Sequence, residues 1–369
     1  MELSKKNLLS LIEKNQINDC EIINLNIFGN ELLIDISTTN PTLQSKKSIE
    51  NSINKIISEN IEEKLELKIN FKIEKVETPQ NLIKGNPIEG IKNVIAIASG
   101  KGGVGKSTIT SNIAVTLAQM GFNVGILDAD IYGPSIPIMF DIADARPLSV
   151  NIEGKNKMKP IESYGVKVLS IGFFTKPDQA VIWRGPMASK ALNQMIFDAT
   201  WGELDFLLVD LPPGTGDIHL SILQALPVTG SVIVSTPQNI ALADARKGIA
   251  MFNQKSINVP VLGIVENMAF FTPNELPENK YYIFGKDGAK NLSDDMNVKF
   301  LGEVPILQSV REASDFGHPA SLQENSKISL TFNEISKNLV SELVKRNKDL
   351  PPSEILKITT MAGCSAVNK

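Results

Sequence analysis

The chain has 369 residues, 42% of them hydrophobic and 21% charged, and carries a net charge of −4 at neutral pH. This much apolar material predicts a large core spread over more than one domain, and the mild acidity excludes the general basic footprint of a nucleic-acid binder. No apolar run approaches the ~20 residues of a membrane span, and two cysteines, Cys20 and Cys364, exclude a disulfide framework.

In chain order, the opening from Met1 to Ile12 is too polar and interrupted for a secretory signal, so the expected compartment is the cytoplasm. Residues 1–75 are rich in Asn, Lys, Glu and Ile and lack a glycine-rich motif, which sets them apart as a small α/β domain. Spacing predicts a helix over 8–14, strands over 21–28 and 31–37 around Gly29-Asn30, and a helix over 47–60. A last strand is predicted over 65–75, with Leu65, Leu67, Ile69, Phe71 and Ile73 on one face. Pro79, Gly85, Pro87 and Gly90 mark residues 76–90 as a linker.

From Ile91 apolar runs alternate with helical patterns. Strands are predicted over 94–98, 124–128, 166–171, 206–210, 231–235, 261–266 and 299–302, and helices over 107–120, 187–199, 218–226, 240–254 and 328–345. This order predicts an α/β fold over 91–346, a mostly parallel sheet covered by helices on both faces. Gly121 is placed to end the first of these helices. The segment 347–369, with Pro351-Pro352 and Met361-Ala-Gly-Cys-Ser365, has no pattern that would join a core and is expected to be a flexible tail.

Between strand 94–98 and helix 107–120, Gly100, Gly105, Lys106 and Ser107 satisfy the phosphate-loop pattern G-x-x-x-x-G-K-[ST] in its strand, loop and helix setting. Gly102, Gly103 and Gly105 let backbone N–H groups turn inward, and with Lys101, Val104 and Thr108 they form the expected cradle for a nucleoside triphosphate. Lys106 is expected on the β- and γ-phosphates and Ser107 on Mg²⁺.

Phosphoryl transfer needs positioning and charge neutralisation, which directs attention to acids at strand ends. Asp210 closes the apolar run Leu207-Leu-Val-Asp210 and is the expected magnesium ligand. Asp130 opens a glycine- and proline-bearing loop and is the candidate for orienting the attacking water, with Asp128 a candidate for the magnesium shell. Any one of these acids alone reads as a solvated strand end; three flanking a phosphate loop in this order point to a site. The glycines of Pro212-Pro-Gly-Thr-Gly-Asp217 suit a switch segment that senses the γ-phosphate. Asn267 could present its amide to an adenine edge or cap a loop, and the backbone after Pro305 could complete a base pocket. His219 and His318 have no metal-ligand spacing and are expected at the surface or in helix packing.

Lys101 turns the loop into K-G-G-x-G-K-[ST], which resembles the deviant Walker A ATPases such as MinD, ParA and the nitrogenase iron protein. That resemblance implies a homodimer in which Lys101 reaches the partner's nucleotide. The runs Asp128-Ala-Asp-Ile-Tyr-Gly-Pro-Ser-Ile-Pro137, Trp183-Arg-Gly-Pro-Met187, Asp210-Leu-Pro-Pro-Gly-Thr-Gly-Asp217 and Glu266-Asn-Met268 closely resemble the Mrp/ApbC family of iron–sulfur cluster carrier ATPases, from Ile91 to Lys345. Residues 1–75 look like the small domain fused to many bacterial members and related to iron–sulfur assembly factors. The resemblance implies a cytoplasmic homodimer that hydrolyses ATP with Mg²⁺, binds an iron–sulfur cluster and passes it to apoproteins, with assembly factors as further partners. No membrane or nucleic-acid partner is expected.

Family members carry a C-x-x-C pair shortly after Glu-Asn-Met, but the stretch from Phe270 to Gly285 here contains no cysteine. Thr39-Asn-Pro-Thr-Leu43 also lacks one where related small domains place a thiolate. Clusters are held mainly by thiolates, which leaves Cys364 of each subunit as the candidate ligand or as an incidental thiol. Cys20 is expected to be a small buried residue. Two other readings stay open: a positioning ATPase of the MinD/ParA kind acting on membrane or DNA, and a nucleotide-binding adaptor without a cluster. Against the first stands the lack of a terminal basic amphipathic helix.

Overall fold

The structure is a computed structural model that describes residue 11 and residues 21–28, 31–38, 43–61, 66–73, 88–152, 154–174, 185–273, 275–276, 278–323 and 326–353. The chain divides into two compact units, Met1–Ile83 and Lys84–Lys369. Most of the helix expected over 8–14 and all but the end of the linker expected over 76–90 lie outside the described residues, as do Cys20, Trp183, Arg184 and Cys364.

In the first unit β1 (Glu21–Phe28) runs antiparallel to β2 (Glu31–Thr38), and β3 (Glu66–Ile73) lies parallel to β2 after a crossover through α1 (Leu43–Asn60). The period of two along β2 buries Leu32, Ile34 and Ile36 on one face, and the helical spacing of Ile49, Ile53 and Ile57 lays one stripe of α1 against them. Leu67 and Ile69 of β3 pack on this core, as their alternation predicts. Helix α1 starts four residues before the expected position 47.

The second unit is an eight-stranded sheet. Its strands are β4 (Val94–Ala98), β5 (Val124–Asp128), β8 (Ile161–Ser163), β9 (Val166–Ser170), β10 (Phe206–Asp210), β11 (Gly230–Ser235), β12 (Val261–Phe271) and β13 (Phe300–Ile306). They lie in the order β13-β12-β11-β4-β10-β5-β9-β8, all parallel except β8, which runs antiparallel to β9. Strand β4 is therefore central, with β10 on one side and β11 on the other.

Alternation along β4 divides the core into two layers. Val94, Ala96 and Ala98 face α4 (Gly185–Phe197), α5 (Asp217–Ala225) and α6 (Asn239–Phe252), whereas Ile95 and Ile97 face α2 (Lys106–Gln119) and α9 (Lys327–Asp349). A parallel sheet buried on both faces needs apolar side chains at every position, and all five β4 residues are buried.

Several short elements were not predicted: α3 (Ile136–Met139), the ribbon β6 (Leu148–Ile152) with β7 (Lys155–Lys159), strand β8, α7 (Gly288–Asp295) and α8 (Gln308–Asp315). Strand β12 runs five residues past Glu266, the expected end, because a bulge after Asn267 carries it on. At that bulge Met268 adopts a left-handed φ of 56°. The strand expected over 299–302 likewise extends to Ile306.

Candidate nucleotide site

The loop 99–105 joins the carboxyl end of β4 to the amino end of α2, so the first N–H groups of α2 open onto it. Two of its glycines are required by close approaches. Gly105 has φ 81° and caps α2, and a Cβ there would run into the Asn267 amide. A Cβ on Gly100 would meet the backbone of α6 at Asp244 and Ala245. A cavity of about 200 Å³ lies over the loop, lined by Gly102 to Thr108 with Asp130, Ser135 and Pro213 among others.

Beneath the loop the expected charges converge. Asp210, fully buried at the end of β10, accepts hydrogen bonds from Lys106 Nζ at 2.7 Å and Ser107 Oγ at 2.6 Å on one carboxylate oxygen, and from Thr110 Oγ1 at 2.7 Å on the other. The parallel register of β4, β10 and β5 brings Asp128 to the same level, opposite Asp210. Lys106, buried itself, also lies 3.7 Å from Asp130. The Ser170 hydroxyl donates to Asp128 at 2.8 Å, and the Asp130 amide donates to it at 3.2 Å. Asp130 in turn accepts from the amides of Tyr132 and Gly133 at 3.2 and 3.3 Å.

These carboxylates crowd one lysine. Burial and the facing Asp210 push the Asp128 carboxyl up to about 7, against the opposing pull of Ser170, Lys106 and the Asp130 amide. Burial also raises the Asp130 carboxyl, and Lys106 draws it back down. Among the described residues no group of three or more His, Cys, Asp or Glu is arranged to hold a metal ion.

The remaining candidates divide. Asn267 reaches the loop and donates to the Val104 carbonyl at 2.9 Å, so its amide fastens the loop itself. Pro305 lines a different cavity, of about 720 Å³, between β13 and α9. Lys101 Nζ donates to Gln238 Oε1 at 3.4 Å. The segment 212–216 is tied to the loop by the Gly214 amide, which donates to the Ser99 carbonyl at 2.9 Å.

Thr110, Ser170, Gln238 and His219 were missed by sequence reasoning as parts of this site. His219 is buried, its backbone amide donates to the Gly216 carbonyl at 3.0 Å, and Lys106 opposes a charge on its ring. Burial holds its imidazole below the ordinary value, in the neutral form. Its place just after the Gly-Thr-Gly turn was the available signal. His318 is exposed and meets Tyr164 edge-on.

A glycine loop at a helix amino end, an ammonium, a hydroxyl and a carboxylate within hydrogen-bonding reach can bind a polyphosphate and a hard cation together. Known proteins match the chain closely. It is 45% identical to an iron–sulfur cluster carrier protein of Aquifex aeolicus, over 73% of this chain and 72% of that one. It is 47% identical to the iron–sulfur cluster transfer protein NUBPL of Dictyostelium discoideum, over 71% and 80%. Among solved structures, a nucleotide-binding protein of Archaeoglobus fulgidus in complex with ADP is 37% identical with a TM-score of 0.57, over 66% and 93%. The family model of the NUBPL iron-transfer P-loop NTPases matches residues 90–340. With the loop, its buried counter-charges and this match across most of its length, the chain belongs to the NUBPL iron-transfer P-loop NTPase family and is an ATP-hydrolysing enzyme.

Proposed function

We propose that the protein binds ATP at the glycine loop, hydrolyses it, and carries an iron–sulfur cluster for transfer to apoproteins. The observation that carries the ATP half is the convergence of Lys106, Ser107 and Thr110 on the buried Asp210 beneath the loop. The cluster half rests on the chain's similarity to the iron–sulfur cluster carrier and transfer proteins.

Magnesium fits the donor set, because Ser107 and Asp210 offer hard oxygen atoms 2.6 Å apart and a phosphate-bound Mg²⁺ needs only one or two protein ligands. When bound, it supplies charge neutralisation on the β- and γ-phosphates. The chain's own residues do the rest. Lys106 exchanges Asp210 for phosphate oxygens, the loop amides hold the anion, and Asp130, lining the cavity, orients the attacking water. Asp128 holds the Asp130 backbone and supports the cation's shell. Asn267 secures Val104 at the base side, and Pro305 contributes to the base pocket. Lys101 serves the partner subunit of a homodimer.

The cluster is cargo, and its ligands are thiolates by preference. Cys364 from each of two subunits, with outside ligands, is the reading we favour; a membrane or nucleic acid is not a partner in it. Among the described residues no helix is long and apolar enough to cross a membrane. In this reading the protein works in the cytoplasm, residues 1–75 act as an assembly-factor-like domain, and 347–369 form the tail that brings Cys364 to the cluster.

Lys106→Ala is expected to abolish ATP turnover; steady turnover in that variant sinks the ATPase mechanism. Anaerobic reconstitution tests the cargo: wild type should take up iron and sulfide, and Cys364→Ala should lose most of both. Wild type that takes up neither overturns the carrier reading, whereas equal loading of the variant overturns only the role of Cys364.

A further inference from the structure

The ribbon of β6 and β7 carries two matched rows of side chains that the nucleotide site does not use. In its antiparallel register Leu148 pairs with Lys159, Val150 with Lys157 and Ile152 with Lys155. Directly opposed residues share a face, so one face presents three aliphatic side chains in a row beside three lysines. Leu148 is 68% and Ile152 42% exposed. Among the described residues none of the three lysines forms an ion pair.

On the other face Ser149, Asn151 and Asn156 are exposed and Met158 is half-buried. Met158 packs on the core of the second unit, its amide donates to the Asp198 carbonyl at 2.7 Å, and the Thr200 amide donates to its carbonyl at 2.8 Å. Those bonds tie the ribbon to the second unit, and on the aliphatic and lysine face Leu148, Ile152, Lys155 and Lys159 are exposed while Val150 and Lys157 are half-buried. Leaving Leu148 and Ile152 in water forgoes the stabilisation that burial of their side chains would supply. The lysines give the row a charge preference within a chain whose net charge is −4.

We propose that this face docks an acidic amphipathic helix of a partner protein. Five residues of strand span ~17 Å, about three helical turns. A helix of that length can set its apolar stripe on Leu148, Val150 and Ile152 and its flanking carboxylates on Lys155, Lys157 and Lys159. The phosphates of a nucleic acid would satisfy the lysines and leave the aliphatic row uncovered. A lipid surface is disfavoured because the face has no Trp, Tyr or Phe to anchor it at an interface. The surface is independent of ATP chemistry, since none of its residues lines the cavity over the glycine loop.

The test uses the full chain and fluorescence anisotropy of a labelled three-turn peptide with leucines at helical spacing and glutamates flanking them. Wild type is expected to bind it, more weakly as salt rises. The combined variant Lys155→Glu, Lys157→Glu, Lys159→Glu should lose about tenfold or more in affinity through like-charge repulsion. Leu148→Ser with Ile152→Ser should lose a similar factor without changing the salt response. Both should hydrolyse ATP like wild type, which reports that the fold is intact. If the charge reversal fails to fold, the milder triple Lys→Gln variant takes its place. Absence of peptide binding, equal binding by the variants, or stronger binding of duplex DNA or phosphatidylglycerol vesicles than of the peptide overturns the proposal.

Discussion

At the residue scale, the contact between Gly105 and Asn267 joins two distant parts of the chain. Gly105 holds φ 81°, where an L side chain is strained, and its missing Cβ leaves room for the Asn267 amide that secures the Val104 carbonyl. Gly105→Ala therefore introduces left-handed strain and displaces that amide, with an expected loss of about 2 kcal/mol. Asn267→Ala leaves a buried carbonyl without its donor, at a cost of about 1–3 kcal/mol. Both substitutions break the same link, so the double variant should lose less than the sum of the two. Urea denaturation of the four proteins measures this, and full additivity would show that the link contributes nothing. The glycine was legible in the sequence because the phosphate-loop pattern is local. Its partner was not, because the register of β12 decides which side chain arrives beside it. Of the two roles open to Asn267 in the sequence, an adenine edge or a loop cap, the bond to Val104 favours the second.

At the element scale, the strands were legible where both faces are buried. The apolar runs of β4, β5 and β10 have the same bounds in the sequence reading and in the structure. Helix α7 was not legible, since its eight residues are mostly polar and its organising contact comes from elsewhere. The Glu266 carboxylate, buried at the end of β12's straight portion, accepts the Ala289 amide in the first turn of α7. No local pattern announces a cap supplied from another strand. Burial raises the Glu266 carboxyl above its ordinary value, the Ala289 amide opposes that, and Glu303 and Asp287 add to it. Between the unfolded and the raised folded value the native state holds the extra proton, so this group's contribution to stability falls as pH rises through that window. Glu266→Gln keeps an acceptor for Ala289 and removes the charge. The variant is expected to melt ~2–4 °C above wild type at pH 8, about 1 kcal/mol for a unit of this size. Near pH 4 the gain should vanish. A gain that is unchanged at low pH, or a loss at pH 8, would mean that the ionised carboxylate is the better partner for α7.

At the scale of the molecule, two cores of unequal strength make separate demands. The first unit rests on one layer, the aliphatics of β1, β2 and α1 with Leu67 and Ile69 behind them, whereas the second has a layer on each face of its sheet. A small domain buries a smaller fraction of its surface and has correspondingly little stability to spare. Every residue that converges on Asp210 lies in the second unit, as do the strand and the helix that the glycine loop joins. In the sequence a change of composition sets residues 1–75 apart, and a motif makes the loop visible. The cargo's ligands were visible in neither way, because the expected cysteine pair is absent between Phe270 and Gly285. Two separate hydrophobic cores predict two unfolding transitions, since cooperativity follows shared packing. Calorimetry of the whole protein should resolve a smaller, lower transition and a larger, higher one. A chain beginning at Lys84 should lose only the lower transition and keep the wild-type rate of ATP hydrolysis. If that shortened chain instead melts below the main transition of the full protein or hydrolyses ATP markedly more slowly, the two units stabilise one another, and ATP chemistry depends on both.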